Sequence, residues 1–278
     1  MRRSIAIRAL IAGLLALIFG CGEASAALTK RDLNAVGVEP PARASAPLDT
    51  QFKTEDARAV TLRDLIAQHP GTALIFADYT CHTLCGPTIA FAAGALQRAT
   101  LRPGRDYGLI VVGLDPKDSI ADARAMKAAQ VADPRLAAAT TFLTGDAATV
   151  QRLTAALGYR YVYDSNADQF AHPAAVFVLK QDGALSRVLS ALAFSANDLQ
   201  LALVEAGNGR AGTFTDRVRL LCYGFDPAAG VYNVSIGRAL MLLGAGTVLV
   251  LGGAILLMIL WPRRPTARQL AAPEAAER

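Results

Sequence analysis

The chain has 278 residues and a mass of 29.2 kDa, which allows one or two domains, and 53% of the residues are apolar. Only 18% are charged, and the mean hydropathy is +0.32. This combination excludes a disordered chain and indicates membrane segments beside a globular part. The net charge of +5 lies mostly at the ends, since residues 1–26 and 262–278 each carry +2 and the remainder carries +1. We therefore expect no nucleic-acid partner.

Residues 1–26 have the features of an export signal. Three arginines among the first eight residues precede an apolar run from Ala9 to Phe19, and Ala24-Ser25-Ala26 has a small-x-small cleavage pattern. The apolar run is too short to span a bilayer. A second interpretation places processing before Cys21, which would then be acylated, and the sequence leaves both open. Residues 27–47 are rich in Ala, Pro and small polar residues, which predicts a linker.

From Leu48 onward, short apolar runs alternate with helical patterns. The predicted strands are 73–79, 107–114, 140–143, 174–180 and 184–190. The predicted helices are 87–100, 118–130, 146–157 and 195–206. Gln181-Asp182-Gly183 separates the last two strands and predicts a hairpin turn. This order of elements predicts an α/β domain over residues 48–207, a mixed sheet flanked by helices.

The C-terminal part predicts a membrane anchor. After a juxtamembrane linker at 208–238, residues 239–261 carry no charge and are numerous enough to cross about 30 Å of hydrocarbon. Arg263 and Arg264 follow at once and are expected on the cytoplasmic side, so that 262–278 is a cytoplasmic tail. The export signal agrees with this orientation. We expect a single C-terminal transmembrane helix in a bacterial inner membrane, with the domain facing the periplasm.

Two cysteines, Cys81 and Cys85, follow the first predicted strand and open a helix. Residues four apart at a helix start lie on the same side and can reach each other. The positive end of the helix dipole favours thiolate, so we expect the cysteine pKa to be lowered. A thiolate attacks disulfides and also binds soft metals, and the residues alone leave both open. A structural disulfide closing so short a loop would add little stability.

These cysteines belong to an ordered set of segments that resembles the Sco/SenC family, factors that deliver copper to the binuclear copper centre of cytochrome c oxidase. The resemblance covers about Leu48 to Gly207 and implies a thioredoxin-like fold. The segments that carry it are Tyr79-Thr80-Cys81-x-x-x-Cys85, Leu114-Asp115-Pro116-Lys117-Asp118, Phe142-Leu143-Thr144-Gly145 and Phe170-Ala171-His172-Pro173.

The resemblance implies that Cys81, Cys85 and His172 bind copper. Two thiolates and one imidazole suit Cu(I), and the imidazole also helps to retain Cu(II). The implied partners are the copper-accepting subunit of cytochrome c oxidase and a periplasmic thiol reductant or copper donor. The family usually has proline after each motif cysteine, whereas His82 and Gly86 stand there in this chain. Whether His82 is a fourth ligand or a base stays open.

Two functions are therefore expected, and one protein could carry out both. The first is a membrane-anchored periplasmic copper chaperone, which is a binding protein and not an enzyme with turnover. The alternative is a thiol–disulfide oxidoreductase in which Cys81 attacks and Cys85 resolves, so that the client's copper-binding cysteines are reduced. Whether Cys222 takes part is open. Asp78 ends a strand near Cys81, where it could tune the protonation of that thiol, but we expect a solvated carboxylate. For Asp115, a place near the metal edge of the sheet and a role in shaping a turn both stay open.

Overall fold

A computed structural model of the chain describes residues 35–81, 85–165, 168–191, 193–208, 223–226, 231–234 and 236–260. Several sequence predictions lie outside these described residues. They are the export signal at 1–26, Cys21, His82, Cys222, Trp261 and the tail at 262–278.

Strands and helices alternate along most of the domain. The strands are β1 (Gly37–Val38), β2 (Gln51–Thr54), β3 (Ala59–Thr61), β4 (Gly71–Ala77), β5 (Tyr107–Gly113), β6 (Thr140–Thr144), β7 (Tyr159–Arg160), β8 (Val162–Asp164), β9 (Gln169–Ala171), β10 (Ala175–Lys180), β11 (Leu185–Ser190), β12 (Tyr223–Asp226) and β13 (Val231–Val234). The helices are α1 (Leu62–Ile66), α2 (Cys85–Arg98), α3 (Ile120–Gln130), α4 (Pro134–Ala138), α5 (Ala147–Ala156), α6 (Ala196–Ala206) and α7 (Ile236–Leu260).

Each strand and helix predicted for the domain is present, with ends within two residues of the predicted ones. Local signals explain this agreement. Ser119 and Ser195 begin α3 and α6 with reciprocal capping boxes, which satisfy backbone donors at each helix start. Gly183 turns the β10–β11 hairpin with a φ of +82°, a conformation that glycine adopts without strain. The shorter elements β2, β3, α1, α4 and β7–β9 were not predicted, because they have too few residues to show a hydrophobic periodicity.

In the described part of the chain, the main sheet has seven strands in the order β11-β10-β4-β5-β6-β2-β3. β4, β5 and β6 run parallel, and the strands on both sides of them are antiparallel. All seven residues of β4 and all seven of β5 are buried, as expected for central strands covered on both faces. The predicted mixed α/β sheet is confirmed.

Two apolar cores cover the two faces of this sheet. Ala73 and Ile75 of β4 pack with α2, α3 and α6 on one face. Leu74 and Phe76 of the same strand pack with α1 and α5 on the other face. Side chains alternate along a strand, so one continuous apolar run supplies both cores. The result is a three-layer domain with the parallel strand ends directed toward the loop that carries the cysteines.

The domain begins before the predicted boundary. Val38 of β1 pairs with Tyr159 of β7, Ala44 and Ala46 are buried, and Ser45 bridges to Ala184. The prediction of a linker over 27–47 is therefore wrong for residues 37–46. The prediction rested on composition, and a segment rich in small residues gives no local sign that it pairs with a strand far along the chain.

The C-terminal part contains the antiparallel pair β12–β13, which lies within the predicted juxtamembrane linker, and helix α7. Large aliphatic side chains of α7 are exposed, among them Met241, Val248 and Met258. Within the described residues, no helix is both long and apolar enough to cross a membrane.

Candidate metal centre

Cys81 and Cys85 lie at the carboxyl end of β4. The strand ends at Ala77, a turn follows with a hydrogen bond from the Cys81 N–H to the Asp78 carbonyl (3.3 Å), and α2 begins at Cys85. Both cysteines are reduced, Cys85 is buried and Cys81 is half-buried. A hydrogen bond joins their side chains. The expectation that the two sulfurs reach each other is confirmed.

His172 lies beside Cys85, although it is 87 residues later in the chain. It lies in the short connection between β9 and β10, and its Nε2 is 3.0 Å from the Sγ of Cys85. The structure thus brings together two of the three predicted ligands directly, and Cys81 through its contact with Cys85. As they stand, no three His, Cys, Asp or Glu side chains among the described residues form a group that could hold a metal ion.

Asp78 connects the cysteine turn to the histidine segment. Its Oδ1 accepts hydrogen bonds from the backbone N–H and the hydroxyl of Thr80, both at 3.0 Å. Its Oδ2 accepts one from the backbone N–H of Phe170 in β9 (3.2 Å). Asp78 is fully buried, so the expectation of a solvated carboxylate is wrong. The carboxylate is buried because it satisfies donors from both segments, which no local pattern reveals.

Tyr159 closes the site behind the imidazole. Its hydroxyl lies 2.8 Å from Nδ1 of His172 and donates a hydrogen bond to the carbonyl of Pro173 (2.9 Å). Burial raises the pKa of the Tyr159 hydroxyl well above its usual value, so the group keeps its proton. Sequence reasoning did not identify Tyr159.

Burial also shifts the pKa values of the Cys85 thiol and the His172 imidazole, which are in contact. It raises the pKa of the Cys85 thiol, and the hydrogen bond with Cys81 adds to this effect. It lowers the pKa of His172, which favours the neutral imidazole. The expectation of a lowered cysteine pKa is therefore wrong for Cys85, because desolvation outweighs the helix dipole at this buried position. Burial thus favours the thiol form of Cys85 and the neutral form of the His172 ring.

Tyr79, the residue after Asp78, connects the cysteine turn to the central strands of the sheet through hydrogen bonds. The carbonyls of Val111 and Leu143 lie 2.9 and 2.8 Å from its hydroxyl and compete for the single hydroxyl proton. Its backbone N–H donates to Oδ2 of Asp118 (3.0 Å). Burial, with neighbouring carboxylates, raises the pKa of Asp118 to about 7. Asp115 accepts from the Lys117 N–H (2.8 Å) and shapes the adjoining turn, which is one of the two roles that the sequence left open.

Gly86 occupies a crowded position where the resembled family usually has proline. It is buried in the first turn of α2, and a Cβ added there would lie 2.9 Å from Nε2 of Gln130. The glycine thus allows the side chain of Gln130, at the end of α3, to approach the first turn of α2. A side chain at position 86 would require the flexible end of Gln130 to shift.

A family model described as SCO1/SenC matches residues 41–203, which is more than half of the chain. The chain belongs to the SCO1/SenC family. Its sheet, with the cysteine pair at the start of the helix that follows β4, is thioredoxin-like. The resemblance stated from the motif segments is confirmed, and the domain that carries the site coincides with the matched region. No curated protein is detectably similar to the chain.

Several solved structures are similar. ScoI of Arabidopsis thaliana with copper bound is 15% identical, with a TM-score of 0.48, and the match covers 59% of this chain and 97% of that one. ScoI of Bradyrhizobium japonicum with copper bound is 18% identical, with a TM-score of 0.43 and coverages of 57% and 96%. A SCO1/SenC family lipoprotein from Bacillus anthracis is 19% identical, with a TM-score of 0.45 and coverages of 55% and 89%. At TM-scores below 0.5, these similarities carry no argument about the site.

Asp78→Asn tests the connection between the two halves of the site. An amide offers one acceptor and one N–H₂ group, so either Thr80 or Phe170 loses its acceptor and a buried donor is left unsatisfied. We expect the free energy of unfolding to fall by about 1–3 kcal/mol. Denaturant unfolding measures this loss, and hydrogen exchange at the Phe170 amide should become faster.

Asp182→Asn is the matched control for this substitution. Asp182 also accepts a backbone hydrogen bond, from Ala184 at 3.0 Å, but it lies in the exposed β10–β11 turn. We expect this variant to leave exchange at Phe170 unchanged. An unaltered Phe170 amide in Asp78→Asn would contradict the role assigned to the Asp78 carboxylate.

Proposed function

We propose that this protein is a copper chaperone that binds one copper ion through Cys81, Cys85 and His172 and passes it to the copper-accepting subunit of cytochrome c oxidase. The observation that carries the proposal is the contact between Cys85 Sγ and His172 Nε2 at 3.0 Å, across 87 positions of sequence. Membership of the SCO1/SenC family supports it. Copper is the cargo, and the protein needs no turnover chemistry.

The donor set supports copper as the ion. Thiolates and an imidazole are soft to intermediate ligands, and a site with few such ligands suits Cu(I). Both sulfurs are reduced, as metal binding requires. Binding would replace the thiol protons by the metal, so that uptake releases protons. Copper binding would require Cys81 to join Cys85 and His172, because the described side chains as they stand form no group of three that could hold a metal ion.

Transfer to a client proceeds in this proposal by exchange of ligands. Cys81 is the more exposed of the two cysteines, so an incoming thiolate or imidazole of the client reaches the metal from its side. Cys85 and His172 hold the ion from the buried side until the client has supplied replacements. Exchange of one ligand at a time avoids release of the ion to solvent.

A thiol–disulfide oxidoreductase is the second candidate, and the hydrogen bond between the two thiols favours it. Cys81 as thiolate would attack a client disulfide, form a mixed disulfide and release one client thiolate. Cys85, once deprotonated, would then attack Cys81 and release the second thiolate, which leaves a Cys81–Cys85 disulfide. The client gains two electrons and the protein loses two. A periplasmic thiol reductant would restore the pair.

We predict that the reduced, purified protein binds one equivalent of Cu(I) under anaerobic conditions. His172→Ala removes a ligand, so it should weaken binding by more than the roughly 10–100-fold that the loss of a group orienting a ligand costs. Cys81→Ser and Cys85→Ser should abolish stoichiometric binding. Competition with a chromogenic Cu(I) chelator measures the dissociation constants.

His69→Gln is the control for loss of an imidazole, since His69 lies between α1 and β4, away from the site. Disulfide exchange with a model disulfide, measured on the same proteins, separates the two candidates. For a chaperone, His172→Ala loses copper and keeps exchange. Wild-type copper affinity in His172→Ala would contradict the three-ligand site and favour the oxidoreductase.

The proposal includes a location, the periplasmic side of a bacterial inner membrane. The uncharged run at 239–261 followed by Arg263 and Arg264 supports an anchor whose tail is cytoplasmic. The exposed aliphatic side chains of α7 support it too. Anchoring would hold the domain beside a membrane-embedded client and raise its effective concentration there.

Fractionation of cells that make the full chain tests the location. The protein should remain in the membrane pellet after alkaline carbonate washing, and protease added to spheroplasts should degrade the domain. A chain ending at residue 238 should be released into the periplasmic fraction and serves as the control. Recovery of the full chain in the soluble fraction would contradict the anchor.

A further inference from the structure

Tyr159 is buried and packed between two aromatic side chains of the core. Its strand β7 pairs with β1, and its ring is 3% exposed. The ring centroid lies 4.6 Å from that of Phe76 and 5.7 Å from that of Phe177. Aromatic packing on two sides fixes the direction of the hydroxyl. The position of the hydroxyl is therefore set by the core and not by the imidazole it meets.

The hydrogen bonds of this hydroxyl determine where its proton and that of the ring lie. The Pro173 carbonyl only accepts, and it lies 2.9 Å from the Tyr159 hydroxyl and 3.2 Å from His172 Nδ1. Donation from the hydroxyl and from an Nδ1–H satisfies this carbonyl, whereas an unprotonated Nδ1 would place two lone pairs against each other. A hydroxyl has a single proton, and its oxygen can then only accept from His172 Nδ1 at 2.8 Å. Nδ1 consequently carries the hydrogen of the neutral ring.

This tautomer has a direct effect on the other ring nitrogen. With the hydrogen on Nδ1, Nε2 keeps its lone pair, and that lone pair faces the Cys85 sulfur at 3.0 Å. An unprotonated imidazole nitrogen is the form that accepts the thiol proton and the form that binds a metal. The opposite tautomer would direct an N–H toward the sulfur and block coordination.

We propose that Tyr159 is the positioning residue that holds His172 in the Nδ1–H tautomer, with Nε2 directed at Cys85. The consequence for copper rests on the proposed function, whereas the tautomer itself is a property of the metal-free protein. Groups that bond the outer nitrogen of a ligating histidine commonly change metal affinity by about 10–100-fold.

The Pro173 carbonyl limits the size of the effect. It lies 3.2 Å from His172 Nδ1 and remains as a weaker acceptor when the Tyr159 hydroxyl is removed. Tyr159→Phe keeps the ring and its packing, so the fold is retained. We therefore expect a partial redistribution toward the Nε2–H tautomer and a copper affinity about tenfold lower.

Long-range ¹⁵N–¹H NMR of the histidine rings tests this in the reduced, metal-free full chain. The chain has three histidines, so the spectrum is simple, and His172→Ala identifies the signals of that ring. We expect the wild-type His172 ring to be protonated at Nδ1 and Tyr159→Phe to show an increased Nε2–H share. Tyr161→Phe, whose ring neighbours Tyr159 at 6.3 Å, is the matched control and should match wild type.

Two results would overturn the proposal. One is a wild-type His172 ring protonated at Nε2. The other is an identical tautomer ratio in wild type and Tyr159→Phe, which would assign the tautomer to the Pro173 carbonyl alone. Failure of all proteins to bind Cu(I) would refute the proposed function, yet the NMR result would still decide the role of Tyr159. The two failures are therefore distinguishable.

Discussion

The contact between the Cys85 sulfur and Nε2 of His172 is the interaction on which the whole site depends. It joins the start of α2 to the segment between β9 and β10, two parts of the chain that meet only because β4 and β10 are neighbours in the sheet. Burial favours a thiol at Cys85 and a neutral imidazole at His172, and the two groups can hydrogen-bond to each other. Replacement of the thiol proton by a soft cation is then a local change.

Buried polar side chains around the two residues keep this contact in place. Asp78 joins the cysteine turn to β9 through backbone donors, and Tyr159 fixes the imidazole from behind. Both side chains are buried, so their hydrogen bonds are costly to break. Cys81 is the more exposed member of the site, at the side from which a client or a disulfide would arrive.

The order of strands and helices could be predicted because apolar runs, capping boxes and the Gly183 turn are local signals. Cys81, Cys85 and His172 could be proposed as ligands because ordered segments resembled a family. The burial and the partners of Asp78, and the presence of Tyr159 beside His172, could not be predicted, because the groups that they contact lie far along the chain. The Cys85 pKa was predicted with the wrong sign, since the helix dipole is visible in sequence and the extent of burial is not.

Copper K-edge X-ray absorption of the reduced protein, loaded with one equivalent of Cu(I), tests the convergence of these three side chains most directly. The account predicts a shell of two sulfur atoms and one imidazole nitrogen, with the nitrogen contribution lost in His172→Ala. A spectrum without sulfur neighbours, or a nitrogen shell that is the same in wild type and His172→Ala, would contradict it.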